Sequence, residues 1–190
     1  MKMDPHMQRL RDAIRSAAKD VDWGQAGQDD VSRLGRLVNS FARRVYLRRG
    51  GHPLTFLLFT RGGAVRNVSR ALIASAGRKA VADAVRTLAG VGEVAAVAVA
   101  CMGEWRGVRA SDLPFDQESH DLLTGRRSLR DLPRECRNRG LVVFVEAPGA
   151  SSCHLNRERG DGGLCPAEER HGVEQGGLMS GFFVDRPGRN

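Results

Sequence analysis

The stretch Glu93–Gly107, EVAAVAVACMGEWRG, decides how this chain is read. From Val94 to Ala100 it contains only Val and Ala, and it then runs into Met102, Glu104, Trp105 and Arg106. A short, unbroken, Val-rich apolar run is the pattern of a strand covered on both faces. The residues that follow set a carboxylate, an indole and a guanidinium at its polar end. Gly140–Ala147, GLVVFVEA, has the same character and reads as a second buried strand, with Glu146 near its end.

Working outward, residues 31–48 carry Val31, Leu34, Val38, Phe41 and Val45 at helical spacing, with Leu37 widening the stripe. Asp29 and Asp30 stand at the start, where carboxylates meet free amides and the positive end of the helix dipole. Gly50-Gly51 stops the helix. Pro53–Arg61 predicts a strand, Gly62-Gly63 a two-residue hairpin turn, and Ala64–Ser69 the returning strand. Gly77–Ala89 predicts a second main helix, with Val81, Ala84, Val85 and Leu88 on one face.

Residues 4–19 predict a shorter helix with Leu10, Ile14 and Ala17 as a narrow stripe, followed by a polar linker. Trp23 in that linker is either a plug docked on the main domain or an exposed contact for a partner. Residues 106–139 form a long charged connection broken by Pro114 and Pro133, with short helices near Asp116–Leu123 and Ser128–Arg137. Pro148-Gly149 turns the chain, Ser151–Arg157 reads as a partner strand, 158–177 as loop, and Leu178–Asp185 as a last strand.

The sum is an α+β fold, a mainly antiparallel sheet of about four to six strands with two main helices packed on one face. Residues 1–28 are an N-terminal helix and linker, 29–157 the core domain, and 158–190 a loop-rich C-terminal segment. The order of elements over roughly residues 53–155 resembles, in a general way, that of small bacterial and phage-encoded proteins of no assigned activity. That resemblance carries no specific motif and implies no function.

Length allows one domain with a real core. Aromatic residues make up only 5% of the chain, so core volume must come from Val, Leu and Ala. The net charge is +8 and is carried almost wholly by Arg, since the only lysines are Lys2, Lys19 and Lys79. Such a bias reflects either codon usage in a GC-rich genome or an anionic partner. No apolar run approaches the roughly 18 residues of a membrane span. The N-terminal MKMDPHMQRLRDAIRSAAKD lacks the apolar segment of a secretory signal. The reading is therefore cytoplasmic, with Cys101, Cys136, Cys153 and Cys165 as free thiols unless they bind metal.

No P-loop, dinucleotide fingerprint, zincin, nucleophile elbow or CxxC pair occurs. Three groups of residues remain as candidates. Glu104, Trp105 and Arg106 stand at the end of a rigid strand; Glu146 would join them if the two buried strands were parallel neighbours, and paired carboxylates suit metal or acid–base chemistry. Cys153, His154, Cys165 and His171 are ligand types for zinc, although Cys153 and His154 point to opposite faces of an extended segment. Among the thiols, Cys136 lies beside Arg134, Arg137 and Arg139 and is the most activated, whereas Cys101 reads as inert packing.

The third group is cationic: Arg43, Arg44, Arg48 and Arg49 at a helix end, with Arg126, Arg127, Arg130, Arg134, Arg137 and Arg139 in the long connection. Together these would grip phosphates without reading bases, since aromatic stacking residues are lacking. The leading expectation is a non-enzymatic interaction or accessory protein with a protein partner. Non-specific nucleic-acid binding comes second and a metal-dependent enzyme third. No cofactor is expected, zinc being the one the residues admit. No membrane association is expected, and exposed sheet edges would permit a homodimer.

Overall fold

The computed structural model describes residues 4–105, 131–133, 137–171 and 182–183. Helix α1 (Pro5–Asp20) begins on Asp4, whose carboxylate accepts the amide of His6 at 2.8 Å, with Pro5 in the first turn. Helix α2 (Gln28–Arg49) starts beside Asp30, whose side chain accepts from the Gly27 amide at 3.2 Å. It ends at Gly50, which adopts the left-handed conformation at φ 66° and donates to the Tyr46 carbonyl at 2.8 Å.

Strands β1 (Thr55–Phe59) and β2 (Val65–Asn67) form the expected hairpin. Its loop has three residues where two were expected. Thr60 and Ala64 still pair across it, and Gly63 closes it at φ 74°. Helices α3 (Arg70–Ala76) and α4 (Arg78–Gly90) follow, then β3 (Ala96–Trp105), β4 (Asn138–Ala147), β5 (Ala150–Arg157) and β6 (Glu168–His171). All pairings are antiparallel, in the order β2-β1-β3-β4-β5-β6. Strand β6 lies in a stretch read from sequence as loop. Four polar residues, EERH, carry no apolar alternation, and it is the neighbouring β5 that orders them. The short helices expected over 116–123 and 128–137 and the last strand over 178–185 fall largely outside the described residues, although Leu132 and Phe182 are buried.

The sheet is α+β and antiparallel as expected, but the two main helices lie on opposite faces of it. Alternation along β3 shows why. Ala96, Ala98 and Ala100 join Leu141, Val143 and Val145 under α1 and α2. Val97 and Val99 join Phe56 and Leu58 against Val81, Ala82 and Val85 of α4. A strand apolar on both sides must be covered on both sides, and one helix cannot do that. Helix α1 lies on α2 and buries Ile14, Ala17 and Ala18 in the same cluster. Trp23 docks there too: it is 8% exposed, donates Nε1–H to the Ala18 carbonyl at 2.9 Å, and stands 5.9 Å from the Phe59 ring.

Helix α2 crosses β4 and β5, and over β5 the contact is polar. Ser152, His154 and Asn156 of β5 all face α2 and are at most 2% exposed. The helix answers with residues that its apolar stripe does not include. Asn39 accepts from Asn156 Nδ2 at 2.8 Å, and Arg43 donates to Asn156 Oδ1 at 2.6 Å and to the Cys165 carbonyl at 2.7 Å. Gly35 lets the backbone settle onto the strand: a Cβ there would stand 2.6 Å from His154 Nε2 and 2.8 Å from Ser152 Oγ. Removing glycine from a helix interior normally gains up to about 1 kcal/mol. Gly35→Ala is expected to do the reverse, lowering unfolding free energy by about 1–3 kcal/mol through overpacking. Urea denaturation of the variant measures it. A neutral or stabilising result would show that the helix does not rest on this residue.

Candidate functional site

The strand-end candidates do not form a shared site. Because β3 and β4 are antiparallel, Glu104 is opposite Arg139, and Glu146 is opposite Val97. The two carboxylates lie at opposite ends of the pair, separated by about 23 Å of strand at roughly 3.3 Å per residue. Glu104 accepts from Arg137 Nη1 at 2.8 Å, and Trp105 packs against Phe144, Cys153 and Leu155 as a cap on the core edge. Glu146 is buried and its Oε1 accepts from the Phe183 amide at 3.3 Å. Arg106 lies outside the described residues.

The four proposed zinc ligands are likewise dispersed. Cys153 sits in the cluster with Phe144 and Leu155, while His154, one residue on, faces α2. His171 Nδ1 lies 3.0 Å from Gln28 Nε2 and 3.2 Å from Ser32 Oγ, and Cys165 uses its carbonyl to hold Arg43. Among the described residues no three His, Cys, Asp or Glu side chains converge as a metal site would require. Cys101 is partly buried in the sheet, and desolvation raises its thiol pKa, as suits an unreactive thiol.

The cationic group divides between structural and surface roles. Arg43 points inward. Arg44 lies 4.0 Å from the Asp4 carboxylate, and Arg48 also pairs with Asp4. Arg137 is paired with Glu104, and Arg139 with Glu158 at 3.4 Å. Glu158 also accepts from Tyr46 Oη at 3.0 Å, so the helix end and the start of β4 do meet, with a carboxylate between them. Arg49 is exposed at the end of α2. Arg126, Arg127, Arg130 and Arg134, with Cys136, fall outside the described residues.

A cavity that the sequence reading did not anticipate lies between α1, α2 and the β2-β1-β3 part of the sheet. It holds about 320 Å³ and is lined mainly by apolar surface, within the range of small-molecule sites. Its floor is Ala98 and Ala100 of β3 with Leu57 and Val65. Ile14 of α1 and Val38, Phe41 and Ala42 of α2 form its walls. Arg11, Arg15, Asn67, Thr55 and His52 supply the polar groups. The space exists because the residues on this face of β3 and at Ala42 end at Cβ. A legible signal was present: Ala and Val alternate from Ala96 to Ala100, which puts the small side chains together on one face.

The polar groups differ in how they are held. Arg15 lies 3.7 Å from Asp12, both half-exposed. Arg11 has no carboxylate partner among the described residues. His52 is 7% exposed and its Nδ1 is 2.6 Å from the Pro53 carbonyl oxygen, so Nδ1 carries the hydrogen. Burial holds this imidazole below its ordinary pKa, Arg70 and Arg49 add to the effect, and the Pro53 carbonyl opposes it. His154 is lowered for the same leading reason, with Arg36 and His171 reinforcing and Glu169 opposing.

Both imidazoles therefore fold neutral, and this sets an acid limit on stability. Below the ordinary imidazole value of about 6.5 the unfolded chain binds protons that the folded chain refuses. Stability is then complete above that pH and is lost as pH falls toward the depressed folded values. The expected slope reaches about 1.4 kcal/mol per pH unit for each histidine. Urea midpoints measured between about pH 7.5 and pH 5 check this, and His154→Gln should flatten the slope. An unchanged slope in that variant would remove His154 from the account.

No family model matches the chain, and no curated protein or solved structure is similar to it.

Proposed function

We propose that this chain is a non-enzymatic binding domain whose ligand is a small amphipathic anion held between α1, α2 and the sheet. The observation that carries this reading is an apolar cavity with the exposed guanidinium of Arg11 at its edge, a group with no carboxylate partner among the described residues. Hydrocarbon entering the cavity is removed from water at a gain of about 25 cal/mol per Å². A carboxylate or phosphate at the mouth would meet the forked donors of Arg11, with Arg15 close by on the same helix turn. The lining offers no carboxylate and no thiol, and Thr55 supplies its one hydroxyl. Nucleophilic catalysis asks for an activated nucleophile hydrogen-bonded to a base, whereas Thr55 Oγ1 and His52 Nδ1 are each directed at the Pro53 carbonyl oxygen. The reading keeps the expected non-enzymatic role but puts a small molecule where a protein partner was expected.

Nucleic-acid binding ranks lower. Five of the arginines expected to grip phosphate hold a carboxylate or, for Arg43, the Cys165 carbonyl in this fold.

The test uses octanoate as the probe, followed by calorimetry and by chemical shifts of cavity residues. Octanoate should bind saturably and raise the melting temperature, whereas octylamine, with the same chain and opposite charge, should not. Arg11→Gln should weaken octanoate about tenfold, the equivalent of about 1.4 kcal/mol. Ala98→Leu, which fills the floor, should abolish binding while the protein stays folded. Absence of saturable octanoate binding, or full affinity in Ala98→Leu, would overturn the assignment.

A further inference from the structure

Strand β2 stands at one edge of the sheet, paired only with β1. The Thr60 amide bonds the Ala64 carbonyl at 2.9 Å, and the Val68 amide bonds the Phe56 carbonyl at 3.1 Å. In an antiparallel pair every second residue is the bonded one, so on this side of the hairpin Ala64, Arg66 and Val68 bond inward. The N–H and C=O groups of Val65 and Asn67 therefore point away from β1, out of the sheet. No described residue bonds them. Arg66 and Asn67 are exposed and Val65 is half-buried, so the edge is open. The charge around it has one sign. The hairpin from Pro53 to Ser69 contains Arg61 and Arg66 and no acidic residue. Arg70 opens α3 just after β2, and Arg11 lies across the cavity lining from Val65 and Asn67. All four arginines are exposed, with no carboxylate partner among the described residues.

We propose that the open edge of β2 docks an acidic, extended segment of a partner protein, which joins the sheet as a further strand. The inference goes beyond the small-ligand reading and does not depend on it. Backbone groups at Val65 and Asn67 supply the bonds, and the arginines choose the partner. Residues of an added strand share a face with those they stand opposite. Its side chains beside Val65 and Asn67 lie on the α1 side, where Arg11 is, and the side chain between them lies beside Arg66. Carboxylates suit both faces. Charged residues on an edge commonly guard against pairing between sheets. Here the guard acts against a second copy of this chain: in a symmetric pairing of two β2 strands, Arg66 would stand opposite its own copy. Like charges directly opposite are destabilising, whereas opposite charges stabilise the pair.

The experiment uses the full chain and a capped octapeptide of alternating glutamate and threonine, with its lysine–threonine counterpart as control. Amide hydrogen exchange is read residue by residue. In the free protein the Val65 and Asn67 amides should exchange fast. The acidic peptide should bind saturably at low salt and slow both amides, with affinity falling as salt rises; the lysine peptide should do neither. Val65→Pro removes one outward N–H at an edge position that tolerates proline, and should weaken binding about fivefold to tenfold. Arg61→Glu combined with Arg66→Glu should lose the acidic peptide and gain the lysine one, and serves if the proline variant does not fold. Ala98→Leu should leave peptide affinity unchanged, so this proposal and the cavity reading fail separately. No saturable binding of the acidic peptide would overturn the proposal, as would binding without added protection at Val65 and Asn67. Protection of these amides in the free protein, or protection that rises with protein concentration alone, would assign the edge to this chain or to a second copy and overturn it too.

Discussion

The size alternation along β3 is the constraint on which the rest of this structure depends. Methyl groups at Ala96, Ala98 and Ala100 face α1 and α2, while isopropyl groups at Val97 and Val99 face α4. The Val face is filled by ordinary interlocking with Val81, Ala82 and Val85. The Ala face has volume to spare, and the helices above it divide that volume unequally. Over β4 it is closed by Leu34, Val38, Leu141 and Val143. Toward β1 and β2 it is left open as the cavity, with α1 as its outer wall. Interiors of proteins are close-packed, and voids larger than a water molecule are few. This space is open on one side, where the exposed Arg11 and Arg15 of α1 edge it.

The second constraint is the polar contact of α2 with β5. Burying Ser152, His154 and Asn156 under a helix is costly unless each is answered. Asn39 and Arg43 answer Asn156, while Gly35 admits Ser152 and His154 at close range. This network fixes the position of α2 along the sheet more sharply than apolar contact alone would. Asparagine needs its particular partners, whereas a leucine accepts many. That placement in turn sets Val38, Phe41 and Ala42 over the cavity. The shape of the cavity thus depends on Gly35, Asn39 and Arg43, residues that do not line it.

Much of this architecture was legible from the residues. Both buried strands, the hairpin after Pro53, the long α2 with its acidic start and Gly50 stop, and the antiparallel α+β class all follow from periodicity and turn chemistry. The placement of helices on both faces was also implicit, since a strand read as apolar on both sides needs two covers. What did not show in one dimension was pairing. Glu104 and Glu146 look like matched strand ends until antiparallel register sends them apart. Cys153 and His154 belong to opposite faces. β6 has no signal of its own, because its strand state is imposed by β5. The cavity lies between elements distant in sequence, and His52 and Arg11 are ordinary residues until Pro53, Val38 and Ala98 surround them. Gly35 and Asn39, lying beside the apolar stripe of α2, are where the helix meets a polar surface.

The span of the contacts made by α2 bears on how the chain acquires its shape during synthesis. Gln28 bonds the carbonyl of Ser151 and Asn39 bonds Asn156, partners well over a hundred positions downstream. Early-made helices must therefore wait for the final third of the polypeptide before their apolar stripe is sheltered. While the ribosome extends the chain at about 5–20 residues per second, that stripe stays uncovered for several seconds. Arg33, Arg36, Arg44 and Arg48 are exposed along α2, and like charges on an uncovered helix would repel one another between copies.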